Sequence, residues 1–263
     1  QEEQLRKIGL IAATTAASFS VVGIAQALTT AEIAQGLQTK TTGKKGTKAK
    51  PSGLTLDITT LTTAKDESKN GEYATTKAVI HFDKNLKFNN SKFPTCSIAI
   101  VSSRPETCPA GSLVGKGSAS ATAGPEQNVK VNPGIEAYND KGGKLHLKLI
   151  AKPGEFDSQG ILTGTLSKDT GKYGNKLTVP IPAKLQNNLG LYITLTRFNT
   201  KISNKKYKGF NYATSVGCTG GTYKFGGDFT FIDGPYNPGT DGAFPSPSLN
   251  KFGPIKVAST SKC

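Results

Sequence analysis

The sequence predicts an all-β fold, an antiparallel, jelly-roll-like β-sandwich that follows a signal helix and a flexible basic tail. Two observations carry this prediction. Apolar and polar residues alternate with a period of two in several segments after Leu54, as they do in strands with one buried face. The 30 glycines and 14 prolines of the 263-residue chain separate these segments, as turns between short strands do. No segment after Gly53 shows a convincing helical period.

The N-terminal leader, residues 1–27, has the order of a secretory signal peptide. Arg6 and Lys7 precede a long uncharged stretch, and Ala25 and Ala27 occupy the minus-three and minus-one positions of a cleavage site. We therefore expect a secreted or envelope-associated protein with no membrane attachment after cleavage. The alternative is a retained anchor or a pilin-like buried helix, although the stretch is rich in Thr and Ser and is weakly apolar for a membrane span.

Residues 28–53 predict a flexible, lysine-rich tail. Residues 29–32 resemble a capping box that would open one short helix ending near Gly36. The following run, residues 40–50, contains lysine, threonine, glycine and alanine only. Such a run cannot bury enough apolar surface to offset the entropy of ordering it. A β-sandwich domain over residues 54–263 follows, and a subdivision near residues 153–160 is the alternative to a single domain.

The strands of this domain are predicted from alternation and from the turn residues between them. The predicted segments are 54–59, 73–82, 97–101, 112–121, 144–149, 177–181, 189–195, 210–216 and 223–232.

The four cysteines predict two disulfides, because an even number in an exported chain is typical of bridges. Three connectivities are open. We favour Cys96 with Cys108 and Cys218 with Cys263, since the first pair flanks a short proline-containing segment and the second would fix the C-terminus. Free thiols or a metal site are the alternative, but the chain has no Cys-x-x-Cys spacing, and no metal or cofactor is expected.

The charge of the chain indicates an anionic partner. Its formal net charge is +15, and nearly all of the positive charge is lysine. A lysine ammonium is a hydrated point charge, whereas the arginine fork reads phosphates and base edges in pairs of hydrogen bonds. We therefore expect diffuse attraction to an anionic cell-wall polymer or glycan rather than nucleic acid binding. The candidate contact residues are Lys44, Lys45, Lys48, Lys50, Arg197, Lys201, Lys205, Lys206 and Lys208.

Patterns that would indicate catalysis are incomplete. Residues 110–117 nearly spell a phosphate-binding loop, but Gly117 stands where a Ser or Thr would hold magnesium. Glu155 and Asp157 have the spacing of glycosidase carboxylates, although their neighbours favour a loop. His81 and His146 are interpreted as structural residues, and His146 is expected on a solvated face beside two lysines. No catalytic residue is assigned.

Several short segments together carry a family resemblance: residues 44–51, 86–89, 93–96, 108–117, 177–182 and 262–263. Over most of its expected mature length the chain resembles a group of exported, β-rich proteins of soil actinobacteria. The group has no named activity. The resemblance implies export, disulfide bridges and a β-rich domain, and it leaves the function open.

We expect a non-enzymatic secreted or envelope-associated protein that binds anionic polymer. One alternative is a secreted hydrolase acting on polysaccharide through Glu155 and Asp157. The other is an adhesive filament subunit with an uncleaved leader.

Overall fold

The structure is a computed structural model, and it describes residues 33–64, 73–123, 129–151, 160–188, 191–232 and 251–263. The leader, its cleavage residues Ala25 and Ala27, and the two candidate carboxylates Glu155 and Asp157 lie outside these ranges. The expectations for these residues stay predictions.

The described residues form strands β1–β17 and one α-helix, α1 (Ile98–Ser103). The strands are β1 (Ile33–Gly43), β2 (Ser52–Ala64), β3 (Ala74–Asp83), β4 (Leu86–Phe88), β5 (Leu113–Ala123), β6 (Val129–Val131), β7 (Gly134–Asn139), β8 (Lys144–Ile150), β9 (Gly160–Lys168), β10 (Tyr173–Pro180), β11 (Asn187–Asn188), β12 (Leu191–Ile202), β13 (Lys206–Tyr207), β14 (Phe210–Asn211), β15 (Ala213–Ser215), β16 (Thr222–Ile232) and β17 (Lys251–Lys262).

One antiparallel sheet contains 15 of these strands, in the order β17-β16-β3-β10-β9-β8-β7-β5-β12-β2-β15-β4. β1 pairs with β2, β6 with β5 and β11 with β12, while β13 and β14 form a separate small hairpin. The sheet folds over on itself, so that β1 meets β17. There Thr39 Oγ1 lies 2.9 Å from Ser259 Oγ, and the Thr41 amide donates to Ser261 Oγ at 2.8 Å. The predicted all-β, sandwich-like fold is confirmed.

Alternating side chains build the core, as the sequence predicts. Leu54 and Leu56 of β2, Leu147 of β8, and Tyr223 and Phe225 of β16 are buried, while the residues between them point outward. Burying an aliphatic or aromatic side chain of this kind contributes about 1.5–3 kcal/mol. Since inward residues come from strands far apart in the sheet, one core joins both layers.

Residues 33–43 form a core strand, so the expected flexible tail over 28–53 is wrong for the described part. Ile33 and Leu37 are fully buried, and β1 pairs with β2 along its whole length. The helix expected to end near Gly36 is not formed there. Two inward residues of β1 are polar, and each has a partner; Gln35 Oε1, for example, accepts a bond from Thr62 Oγ1 at 2.7 Å.

The lysine-rich run after β1 is an ordered connection between two paired strands. The Gly46 amide donates to Ser215 Oγ at 3.1 Å, and the Thr47 amide donates to the carbonyl of Lys50 at 3.0 Å. The run is anchored by its backbone, so its ordering does not require buried lysine side chains. The lysines themselves stay exposed.

The strand predicted at 97–101 is also wrong, because these residues enter helix α1. The Arg104 amide donates to the Ile100 carbonyl at 2.8 Å, as in a helical turn. Only Val101 of the helix is buried, and it packs with Cys96 and Tyr138. The β-branched residues of this segment therefore do not form the buried face of a strand.

Both disulfides have the favoured pairing. Cys96 pairs with Cys108 with a Cα–Cα distance of 5.4 Å, and Cys218 pairs with Cys263 with a Cα–Cα distance of 6.4 Å. The second bridge fixes the end of β17 beside the start of β16. The two bridges are consistent with an oxidising environment.

The strands on either side of the possible subdivision near residues 153–160 are neighbours in the sheet. β9 pairs directly with β8 from Leu149 opposite Gly160 to Lys144 opposite Thr165. The two strands belong to one sheet, so one domain contains both.

Candidate functional site

One end of the sheet collects most of the described turns. The antiparallel register places the start of each strand beside the end of its neighbour there, with Leu113 opposite Tyr138, for example, and Tyr173 opposite Asp83. Strands β2, β5, β8, β10 and β16 all begin at this end. We call it the basic end, and define it by the lysines that its turns carry.

These lysines are exposed and lie in loops or at strand ends. They are Lys44, Lys45, Lys48 and Lys50 between β1 and β2, Lys84 after β3, Lys141 and Lys144 between β7 and β8, Lys168 and Lys172 between β9 and β10, and Lys206 and Lys208 in the β13–β14 hairpin.

Backbone contacts hold neighbouring turns of the basic end together. The Gly46 amide binds Ser215 Oγ, which fixes the β1–β2 loop against β15. The Lys84 amide donates to the Lys172 carbonyl at 3.3 Å, which joins the turns after β3 and β9. The lysine side chains therefore extend from an ordered surface.

The β1–β2 loop also lies beside the β13–β14 hairpin. The Asn204 amide donates to Thr55 Oγ1 at 3.1 Å, and Asn211 Nδ2 donates to Asn204 Oδ1 at 2.8 Å. A β-carbon at Gly53 would collide with both of these amide side chains, so the start of β2 and the hairpin are in close contact. This contact brings two separate lysine segments of the sequence to one surface.

Three aspartates at the basic end, Asp83, Asp140 and Asp169, are bound to partners within the protein. Asp83 accepts three N–H bonds, from the Asn85 amide at 2.8 Å, from Asn85 Nδ2 at 2.9 Å and from the Lys224 amide at 2.9 Å. Asp140 binds His146, and Asp169 binds His81. Within the described ranges, no carboxylate lies within 4.0 Å of a basic-end lysine.

The Asp169 carboxylate is held in its charged form. Burial raises the pKa of Asp169, but hydrogen bonds from His81 and from the Thr170 amide outweigh this and hold the pKa below its ordinary value. Its Oδ2 lies 2.5 Å from His81 Nδ1, and its Oδ1 lies 4.0 Å from Lys176 Nζ. This negative charge is therefore compensated locally and does not neutralise the exposed lysines.

The structure brings six of the nine candidate contact residues to the basic end: Lys44, Lys45, Lys48, Lys50, Lys206 and Lys208. Lys205 has a structural contact instead, since its Nζ donates to the Leu113 carbonyl at 2.9 Å. Lys201 is exposed one residue before the end of β12, in register with Asp57 of β2 and Lys116 of β5, so it borders the basic end without lying in one of its turns. Arg197 lies four residues earlier on that strand, about 13 Å farther from the basic end at the rise of an extended chain.

An exposed aromatic ring lies among these lysines. Phe210 is 46% exposed, and Lys92 Nζ lies 5.6 Å from the centre of its ring. Lys208 Nζ lies at the same distance, 5.6 Å, from the ring of Tyr207. An exposed ring beside ammonium groups can stack on the apolar face of a sugar while the cations bind its acidic groups.

His146 has the hydrogen bonds of a catalytic base, but it is inaccessible. Its Nε2 lies 3.0 Å from Asp140 Oδ2, and its Nδ1 lies 3.0 Å from Thr163 Oγ1. Thr163, His146 and Asp140 are thus arranged like the nucleophile, the general base and the orienting carboxylate of a catalytic triad. However, His146 is 2% exposed, because α1 packs over β8 and β9. The expectation of a solvated face was wrong, and the interpretation as a structural residue fits the burial.

His81 lies between two carboxylates on the outer side of β3. Besides Asp169, it faces Asp228, with 3.6 Å between Nε2 and Oδ2, and its ring packs beside Tyr173. Sequence reasoning missed both carboxylates, because one comes from the β9–β10 turn and the other from β16. Among the residues that the structure covers, no group of three or more His, Cys, Asp or Glu is arranged to hold a metal ion.

The segment that resembles a phosphate-binding loop is the approach to β5. The strand begins at Leu113 and continues through Gly117, where a phosphate-binding loop would lead into a helix. A side chain at Gly117 would collide with the Asn199 carbonyl of β12. This glycine therefore serves close strand packing.

No family model and no curated protein matches the chain. Within the described part, no helix is both long enough and apolar enough to cross a membrane.

Proposed function

We propose that the protein is a non-enzymatic, secreted or envelope-associated β-protein that binds an anionic cell-wall polymer or glycan through its basic end. The observation that carries this proposal is the separation of charges at that end. Lysines from several turns are exposed and unpaired with carboxylates, whereas Asp83, Asp140 and Asp169 are engaged by inner partners. A polyanion can therefore approach the lysines without displacing internal ion pairs.

The type of cation favours a polymer over a shaped small ligand. Lysine ammonium groups on flexible stems adapt to phosphates or carboxylates at variable spacing. The basic end presents lysines and an exposed ring, Phe210, rather than a set of arginine forks. These features suit a repeating acidic polysaccharide or a phosphate-bearing polymer, and they give little basis for sequence-specific nucleic acid binding.

Export remains part of the proposal. The leader motif and the two disulfides support it, because disulfides form and persist mainly in the oxidising conditions found outside the cytosol. Outside a cell, anionic polymers of the envelope are the abundant partners for a protein of this charge.

The test compares two variants with the same loss of charge. The loop variant replaces Lys44, Lys45, Lys48 and Lys50 by Gln. The control variant replaces four lysines, all exposed, that lie at or near the strand ends away from the basic end: Lys77, Lys130, Lys184 and Lys251. Each variant loses four positive charges, and exposed substitutions of this kind change the free energy of unfolding by about 0.5 kcal/mol or less.

Both variants and the unaltered protein are sedimented with isolated envelope material over a range of salt concentrations. We expect the loop variant to elute at clearly lower salt and the control to stay close to the unaltered protein, because the lysine loop makes the contacts. Equal weakening of both variants would show attraction by net charge alone and contradict a basic-end site. Binding that does not respond to salt would contradict the electrostatic mechanism.

The polymer class is separated with purified probes. Polyphosphate carries phosphate charges, and polygalacturonate carries sugar carboxylates. If Phe210 stacks on a sugar ring, Phe210→Ala weakens binding of polygalacturonate more than binding of polyphosphate. Equal loss for the two probes would assign the site to charge alone.

A further inference from the structure

The interior of the protein contains a cavity between the two layers of the sheet. Its volume is about 100 Å³. Ile58 and Phe198 line it from β2 and β12, and Ile80, Leu147 and Leu177 line it from β3, β8 and β10. The walls are apolar apart from threonine side chains and Tyr212, whose hydroxyl donates to Asn139 Oδ1 at 3.3 Å.

A second cavity of about 60 Å³ lies beside the first. The two share five wall residues, Thr75, Leu162, Ile181, Leu195 and Phe198, so only side chains separate them. An engineered apolar cavity of about 150 Å³ in another protein stays dry and binds benzene. The two spaces together are on the same order, which suits a molecule of about six to ten non-hydrogen atoms.

Gln186 gives the smaller cavity a fixed polar group. This residue is 3% exposed and lines the cavity. Its Nε2 donates to the Ile181 carbonyl at 2.9 Å and to the Thr75 carbonyl at 3.2 Å. Both amide hydrogens are therefore used, and the opposite orientation would place the side-chain oxygen against two carbonyl oxygens. The orientation of the amide is set by its neighbours.

The oxygen of this amide lacks a partner. Among the described residues, Gln186 Oε1 is one of three buried side-chain polar atoms without a hydrogen bond. A second is Thr200 Oγ1, and Thr200 lines the larger cavity. A buried acceptor left without a donor is costly, and such atoms in folded proteins normally have a partner.

Water is a poor partner for Gln186 Oε1. A buried water is normally held by about three hydrogen bonds. The smaller cavity offers Gln186 and Thr75 as its polar side chains, and its other lining residues are apolar. A molecule that brings one donor and an apolar body matches this lining better than water does.

We propose that the paired cavities bind a small uncharged apolar molecule with one hydroxyl group, an alcohol or a phenol, whose hydroxyl donates to Gln186 Oε1. The apolar body fills the space between the layers. This site is separate from the basic end and does not depend on the proposed polymer binding.

The test uses toluene and p-cresol, two probes that differ by one hydroxyl. Calorimetry and the methyl NMR signals of the lining residues report binding to the full chain. We expect both probes to bind, and p-cresol to bind at least as tightly as toluene. In a cavity without an acceptor the order would be reversed, because burying an unbonded hydroxyl is unfavourable.

Gln186→Met keeps the length of the side chain and removes the acceptor. We expect it to weaken p-cresol by about tenfold or more relative to toluene, the ratio that corresponds to losing one buried hydrogen bond. Gln38→Met makes the same chemical change on β1, away from both cavities, and is expected to leave the ratio of the two affinities unchanged.

A cavity-filling variant gives an independent result. Ala121 lines the smaller cavity, and Ala121→Leu is expected to weaken both probes. Failure of p-cresol to bind the unaltered protein at millimolar concentration would overturn the proposal. An unchanged ratio of p-cresol to toluene affinity in Gln186→Met would overturn the role of Gln186, and this comparison holds even if Ala121→Leu does not fold.

Discussion

Leu37→Ala is expected to lower the free energy of unfolding by about 3–4 kcal/mol. Leu37 is 0% exposed and belongs to the main hydrophobic core. The substitution removes three carbon atoms, which at about 0.8 kcal/mol each corresponds to roughly 2.4 kcal/mol of lost burial. The residual cavity adds to this, as in other leucine truncations, whose cost is about 2–5 kcal/mol.

Urea unfolding measures this change. The midpoint should fall while the dependence on urea concentration stays constant, because the folded state remains compact. Gln38→Ala is the matched control on the outward face of the same strand, and it should lower stability by less than about 1 kcal/mol. If Leu37→Ala has no more effect than the control, β1 is not a core strand, and the flexible tail expected from sequence is restored.

Other outcomes follow from the basic end and the bridges. Gly46→Ala should weaken polymer binding although every lysine is kept, because its β-carbon would collide with backbone atoms of the adjoining strands; unchanged binding measured by sedimentation would show that loop order is irrelevant. Asp169→Asn should destabilise the protein at pH 7. The folded pKa of Asp169 is lowered, so the stability that its charge contributes is fully present above the ordinary carboxyl pKa of about 4 and is lost as the pH falls through the folded pKa. Urea unfolding at several pH values should show the free energies of unfolding of the two proteins converging at low pH, and a constant difference would contradict the assignment. Replacing Cys218 and Cys263 by Ser opens a loop of 45 residues and should lower the free energy of unfolding by about 4 kcal/mol through chain entropy, whereas replacing Cys96 and Cys108 should lower it by about 3 kcal/mol. A larger loss of thermal stability for the Cys96–Cys108 pair would argue against that entropy model.

The strands with apolar inward residues could be predicted from sequence. At the starts of β2 and β16 the inward positions hold Leu, Tyr and Phe and the residues between them are not buried, so alternation and burial agree. In β8 they agree only on the inner face, because α1 packs over the outer face and buries His146 as well. β1 was missed because its inward set includes Gln35 and Thr39. Both are paired with side chains of other strands, Gln35 with Thr62 and Thr39 with Ser259. Their burial depends on partners that are distant in sequence, and composition alone cannot show it.

The segment at 97–101 shows the converse case. Its β-branched residues are typical of a strand, but Ile98 is about half exposed and Val101 alone is buried. The segment lies inside the loop that the Cys96–Cys108 bridge closes, and it packs as a short helix on the outer side of β8 and β9. Local periodicity cannot identify a short segment that contributes one residue to a core.

The candidate site was predicted in part. The sequence pointed to the lysines of the β1–β2 loop and of the β13–β14 hairpin, because successive lysines of each group are separated by at most two residues. It missed turn lysines such as Lys84, Lys141 and Lys172, which are isolated in sequence. Only the antiparallel register places these turns at one end. The partners of His81 were missed for the same reason, since Asp169 and Asp228 come from other strands and turns.

The most direct test of the proposed function is an NMR titration of the full chain with a defined polyanion. Amide signals of Gly46, Lys50, Lys84, Lys208 and Gly209 at the basic end should shift together and saturate. Signals of Lys77, Lys130 and Lys184 should not, and the shifts at the basic end should disappear on addition of salt. Shifts spread evenly over the molecule, or confined to residues away from the basic end, would contradict a polymer-binding surface at this end of the sheet.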